Sequence, residues 1–142
     1  MRSKATPKLL VAALCGFLIT VIGSSALASV FERGEAVTIS NVHVVDDDLY
    51  VNSTNFKMEG TINGDLTAFA YDAKIQGQVS HAVNVFSRST TFAGRCEGPF
   101  RSISELLSMD GTVGGSVIAI GRVIAFNKGA VIVRDMKAIG AI

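Results

Sequence analysis

Tryptophan is absent from the 142 residues, and proline, histidine, cysteine and tyrosine occur only twice each. A metal centre needs several ligands converging on one point. His43 and His81 stand too far out of phase for that and are expected as exposed corner residues, so no metal site is expected. Asp46-Asp47-Asp48 offers oxygens that a hard cation would accept. Adjacent strand residues point opposite ways, however, and the neighbouring sequence supplies no further ligand, so the triplet reads as a polar turn. No Gly-x-Ser-x-Gly elbow, phosphate-binding loop or dinucleotide fingerprint is present, and no catalytic residue or cofactor is expected. The scarcity of proline, with 14 glycines spread along the chain, fits many short strands and turns without a disordered linker.

Acidic residues are missing from the start of the chain, the first being Glu32, whereas Arg2, Lys4 and Lys8 make it basic. Leu9–Gly23 is an apolar run of 15, and Ala26-Leu27-Ala28 places small residues where a signal peptidase cuts. Residues 1–28 are therefore predicted to be a secretory signal cleaved between Ala28 and Ser29. The competing reading is an uncleaved anchor, for which the run is short against the usual span of about 20 residues. Both put the body outside the cytoplasm, across the inner membrane or tethered to it, because the basic start stays inside. Without residues 1–28 the balance is 10 basic to 12 acidic, a net of −2. That leaves no basic patch for nucleic acid. Cys96 is then the only cysteine, which excludes an intramolecular disulfide.

What is present is a repeat. Gly60, Gly77, Gly94 and Gly111 recur every 17 residues. Two positions on, the column reads Ile62, Val79, Cys96, Val113. Six positions on it reads Leu66, Val83, Phe100, Val117. Two positions before each glycine stand Met58, Ile75, Phe92 and Met109, then Phe126 one period later. A short fixed period means stacked supersecondary units. Leu66, Ala68 and Ala70 alternate with other residues, as do Ala73 and Ile75, which marks strands with one buried face. Asn63-Gly64 and Gly114-Gly115 supply turns. A 17-residue unit is too short for a strand and a helix but suits three short strands joined by corners. The expected fold is therefore all-β: a β-solenoid of about 17 residues per coil and about six coils. One coil buries about five side chains at roughly 1.5–3 kcal/mol each, against roughly 1–2 kcal/mol per ordered residue. A lone coil loses, so stability must reside in the stack. Cys96 shares an inward column and is expected as a small core residue rather than a reactive thiol.

Residues 29–45 read as a less regular approach, in which Val37–Val45 form a first, imperfect coil that covers the N-terminal end of the core, Val45 standing 17 before Ile62; residues 46–142 form the repeat domain. Near the other end the register slips by two at Asn127–Ala130, an insertion best placed at a corner, where lengthening is cheap. The last coil is expected to be unfinished, leaving an open edge. One outward column is unusual: Phe69, Phe86, Ile103, Ile120 and, after the slip, Ile139. Either it forms an exposed apolar stripe that contacts a partner, or it lies at a corner and folds in, or under Val30–Phe31.

The phrases Gly60-Thr61-Ile62-Asn63-Gly64-Asp65-Leu66-Thr67-Ala68, Gly111-Thr112-Val113-Gly114-Gly115-Ser116-Val117 and Asp48-Leu49-Tyr50-Val51 resemble the repeat of bactofilins, and more closely their export-linked relatives, the polymer-forming cytoskeletal proteins. The Gly-Asp of the phrase is intact only at Gly64-Asp65. Its counterparts are His81-Ala82, Gly98-Pro99 and Gly115-Ser116. The resemblance covers about residues 46–142 and implies a right-handed β-helix that assembles end to end into nonpolar filaments without nucleotide. Its best-known members are cytoplasmic, whereas this chain begins with an export signal.

The expected function is structural: a self-assembling scaffold of the cell envelope whose partner is itself, with membrane or envelope components as further contacts. The alternative is a monomeric exported module that binds an envelope glycan or protein through the Phe69 column. Enzymes are not favoured. A six-residue acyltransferase period is not what organises the chain, and no repeated pair of carboxylates marks an outer face.

Overall fold

The computed structural model of the chain describes residues 29–142. The predicted signal, including Ala28, lies outside the described residues. Thirteen strands follow in order with no helix between them. The long ones are β1 (Val30–Ile39), β3 (Leu49–Met58), β5 (Leu66–Ile75), β7 (Val83–Phe92), β9 (Phe100–Met109), β11 (Val117–Phe126) and β13 (Met136–Ala141). The two-residue ones are β2 (Val44–Val45), β4 (Thr61–Ile62), β6 (Gln78–Val79), β8 (Arg95–Cys96), β10 (Thr112–Val113) and β12 (Val131–Ile132). All pairing is parallel and sequential. The long strands form a sheet in the order β1-β3-β5-β7-β9-β11-β13, the short ones a second in the order β12-β10-β8-β6-β4-β2. The result is a β-solenoid of about seven turns, one more than the sequence suggested.

Each turn contains two strands rather than three, because the long strand carries a corner within it. In β5, Leu66 and Ala68 are buried, Tyr71 and Asp72 both face out, and burial resumes at Ala73 and Ile75. Two consecutive outward residues switch the alternation, and the ladder between β5 and β7 skips Tyr71 at that point. The chain bends there without losing its strand character.

Inside, like residues lie on like. Ile62 pairs with Val79, Val79 with Cys96 and Cys96 with Val113, and all four are fully buried. Leu66, Val83, Phe100 and Val117 form a second buried row, and Met58, Ile75, Phe92 and Met109 a third. The Phe92 and Phe100 rings meet at 4.7 Å in a tilted arrangement that suits their quadrupoles. Phe126 continues the third row but is only half-buried, and Met136 continues the second at 47% exposure, since each stands in the last coils of the stack. One interior patch is polar: Ser104 Oγ lies 2.8 Å from Thr90 Oγ1, 3.0 Å from Ser87 Oγ and 2.7 Å from Ser102 Oγ, so these hydroxyls satisfy one another.

The corner before each short strand explains the glycine column. Arg95 N–H donates to Gly77 O at 2.9 Å and Thr112 N–H to Gly94 O at 2.9 Å, so backbone lies directly on backbone. A Cβ on Gly77, Gly94 or Gly111 would collide with the carbonyl oxygen of the glycine one coil earlier. Only a residue without a side chain fits.

The first coil, expected as an imperfect one over Val37–Val45, begins at Val30 and pairs regularly with the next. Strand β1 pairs with β3 from Val30↔Leu49 to Ile39↔Met58. The offset is 19 rather than 17 because Ser40–His43 widen the corner by two residues, after which Val44↔Thr61 restores the period. A count in steps of 17 reaches Val45 but puts strand β1 out of phase. The slip expected at Asn127–Ala130 is found at the same corner of the last coil, where Phe126 pairs with Met109 and Val131 with Thr112.

Candidate assembly surfaces

Strand pairing places Phe69, Phe86, Ile103, Ile120 and Ile139 in one continuous column across β5, β7, β9, β11 and β13. They occupy the alternate, outward positions of their strands, and all five are exposed, from 39% at Phe86 to 68% at Ile139. The column therefore faces out. It does not fold in, and Phe31 belongs to a different column, opposite Tyr50. The Phe69 and Phe86 rings stack at 4.9 Å and 9°. Exposed Ile118, two residues before Ile120, widens the stripe, and a shallow apolar depression of about 150 Å³ lies between Phe86, Ile103, Ile118 and Ile120. A contiguous apolar stripe on an outer face is the kind of surface that partners cover.

Beside it, at the bend, runs a charged column. The Arg88 guanidinium lies 5.1 Å from the centre of the Tyr71 ring, and Glu105 pairs with Arg88 at 3.5 Å and Arg122 at 3.1 Å. Alternating charges one coil apart favour stacking of the coils, though exposed pairs are individually worth only about 0–1 kcal/mol.

The ends of the stack form the other candidate surfaces. Every strand from β3 to β11 in the long sheet is paired on both sides, whereas among the described residues β1 and β13 each have one partner. Strands β2 and β12 stand at the corresponding ends of the short sheet. Unpaired edges of this kind template the addition of another strand.

The thiol, the imidazoles and the aspartate triplet lie away from the stripe. Cys96 is buried in its row, its thiol donating to His81 O at 3.1 Å, and burial pushes that thiol up to about 11. It is held as a neutral thiol, not as a nucleophile. His43 and His81 are both exposed and lie in different columns. One grouping was not apparent from the sequence: ligand atoms of Asp48, Asp65 and His81 lie within 4.8 Å of one another. Asp48 Oδ1 accepts the Asp65 N–H at 2.8 Å, and Asp65 Oδ1 accepts the Ala82 N–H at 2.8 Å. These carboxylates brace the corner by satisfying backbone donors one coil on. Asp46 likewise accepts from Asn63 Nδ2 at 2.6 Å across the same corner. No protein-family model, curated protein or solved structure matches the chain.

Proposed function

We propose that this chain is a bactofilin-like scaffold of the cell envelope, a right-handed β-helix that polymerises end to end without nucleotide after export. The observation that carries the reading is that, among the described residues, β1 and β2 at one end of the stack and β13 and β12 at the other each have an unpaired edge, on a body whose inner strands are all paired. Burying an end satisfies backbone donors and acceptors and covers the apolar side chains of the terminal coil. Contacts that add coils without closing on themselves generate open filaments. The repeat phrases around Gly60–Ala68 and Gly111–Val117 support the same reading. The Phe69 stripe then packs filaments side by side or against the envelope.

Sedimentation velocity with electron microscopy of the purified protein tests this. Unbranched fibres of constant width are expected, formed without added nucleotide. A monodisperse monomer at all concentrations overturns the reading and favours a monomeric module that binds an envelope glycan or protein through the stripe. Replacing Phe69, Phe86 and Ile103 with serine is expected to abolish bundling while leaving single fibres and the β-type circular dichroism intact. Bundles that persist in that variant remove the stripe from assembly.

A further inference from the structure

We infer that the corner formed by Asp48, Asp65 and His81 binds one divalent transition-metal ion, of which zinc fits the donor set best. Asp48 closes the first coil just before β3, Asp65 closes the second just before β5, and His81 follows β6 in the third. The ion therefore ties three successive coils together at the N-terminal end of the stack. A single protomer holds all three ligands, so binding does not require assembly.

Ligand atoms of the three side chains already lie within 4.8 Å of one another, and the stacking of the coils brings them there. Pairing of Val45, Ile62 and Val79 puts Asp47, Gly64 and His81 in one column and Asp48, Asp65 and Ala82 in the next. Gly64, between Asp47 and His81, has no side chain, and a Cβ there would lie 2.6 Å from Asp48 Oδ1. The imidazole thus meets the carboxylate of a residue two coils away across an open notch. Ala82 follows Asp65 in its column with only a methyl group, so the next coil does not crowd the Asp65 carboxylate. The backbone also aims the carboxylates. Asp48 Oδ1 accepts the Asp65 N–H and Asp65 Oδ1 the Ala82 N–H, each at 2.8 Å. A carboxylate has about four lone-pair sites on its two oxygens, so each keeps an oxygen for a ligand while its orientation is fixed. Outer hydrogen bonds of this kind orient metal ligands in general.

Charge agrees with geometry. Asp48 and Asp65 are half-buried one coil apart, with Asp46 and Asp47 beside them. Among the described residues the ion pairs of lysine and arginine involve Glu59 and Glu105 and none of these four aspartates. Like charges this close repel, and a divalent ion between them reverses the sign of the interaction. The imidazole then selects the ion. Carboxylates alone suit calcium or magnesium, whereas imidazole suits zinc and its neighbours. Zinc commonly takes three protein ligands with water in the fourth position. Tetrahedral ligands at its usual bond lengths stand roughly 3.4 Å apart. The widest donor separation therefore has to shrink by roughly 1.4 Å at most, which rotation of the exposed His81 side chain supplies.

The set differs from the metal arrangements weighed on the sequence. His81 does not join His43, and the Asp46-Asp47-Asp48 triplet contributes one ligand rather than three. The donors come from successive coils, so spacing within one coil did not reveal them. An ion held this way staples the stack where, among the described residues, the first coil has a neighbour on one side only. Binding to the folded chain and not to the unfolded one raises stability by mass action.

The test titrates chelator-treated native protein with ZnCl2 in competition with a chromogenic chelator, below the concentration at which fibres form. One equivalent of zinc per chain is expected, with CaCl2 and MgCl2 failing to displace it at matched concentration. CoCl2 in its place is expected to give the visible absorption of a four-coordinate site. His81→Ala is expected to weaken zinc binding by at least about 100-fold, since losing a group that merely orients a ligand already costs about 10–100-fold. Asp65→Asn keeps an oxygen that can accept the Ala82 N–H, so the corner stays folded, and binding is expected to fall by at least about 10-fold. His43, in another column, serves as the control, and His43→Ala is expected to bind zinc as the native protein does. Zinc is also expected to raise the thermal unfolding midpoint of the native and His43→Ala proteins and to leave that of His81→Ala unchanged. Absence of a stoichiometric equivalent in the native protein overturns the site, as does equal affinity in His81→Ala or loss of binding in His43→Ala. Calcium or magnesium bound as tightly as zinc and retained in His81→Ala also overturns it, by showing a plain acidic surface.

Discussion

Substituting alanine for glycine at two positions, Gly94 and Gly34, is expected to have opposite effects, and the reason is the stacking of coils. A Cβ on Gly94 would collide with Gly77 O and lie 2.9 Å from the Gln76 carbonyl carbon and 3.1 Å from Gly77 N. All three obstacles are backbone, so no side chain can swing aside; the two coils must separate at that corner. Forced overpacking costs about 1–3 kcal/mol. The hydrogen bond from Arg95 N–H to Gly77 O, 2.9 Å long, crosses the same gap. Losing it adds about 0.5–1.5 kcal/mol, giving a total near 2–4 kcal/mol. At Gly34 the nearest atom to an added Cβ is Ala36 O at 3.6 Å, ordinary contact, and the backbone is not in the left-handed region. Gly34→Ala is therefore expected to be neutral or to stabilise by about 0.4–1 kcal/mol through the unfolded chain. Urea unfolding followed by circular dichroism, below the concentration at which fibres form, measures both. Equal effects at the two positions, or a Gly94→Ala change within about 0.5 kcal/mol of the native protein, would refute the account of the glycine column.

Two further outcomes follow from the interior. Cys96 is expected to resist alkylation in the folded protein and to react readily in urea. Because burial raises its folded value to about 11, above the ordinary 9.0 of an exposed thiol, its contribution to stability is complete below pH 9 and is lost as pH rises toward 11. At 1.36 kcal/mol per unit that loss is about 2–3 kcal/mol, and a Cys96→Ala protein should not show it; identical alkaline unfolding of the two would contradict this. Ser53 Oγ is buried without a hydrogen-bond partner among the described residues, so Ser53→Ala is expected to be neutral or mildly stabilising. Ser104→Ala removes the hydroxyl that Ser102 depends on and is expected to cost about 1–3 kcal/mol. Thermal unfolding of the two variants checks the order, which a less stable Ser53→Ala would reverse.

Much of this fold was legible because like residues must lie on like. A constant step of 17 carried Ile62 through Val113, and Leu66 through Val117, without any knowledge of geometry. The first coil looked imperfect for a local reason: Ser40–His43 add two residues, which preserves inward–outward parity but shifts the count for β1. The outward Phe69 column followed from alternation alone. Alternation could not place Tyr71 beside Arg88, or Glu105 beside Arg122, in an outward ladder, because the bend sets two outward residues in succession. The approach of His81 to Asp48 and Asp65 depends on how corners overlie one another, which spacing does not encode.

Protomers of the proposed scaffold extend one another's stack of coils. Fibre diffraction from oriented, purified filaments measures that directly. Coils stacked about 4.8 Å apart from one protomer into the next predict a strong 4.8 Å reflection along the fibre axis. The absence of a 4.8 Å reflection along the fibre axis would contradict end-to-end continuation of the coils.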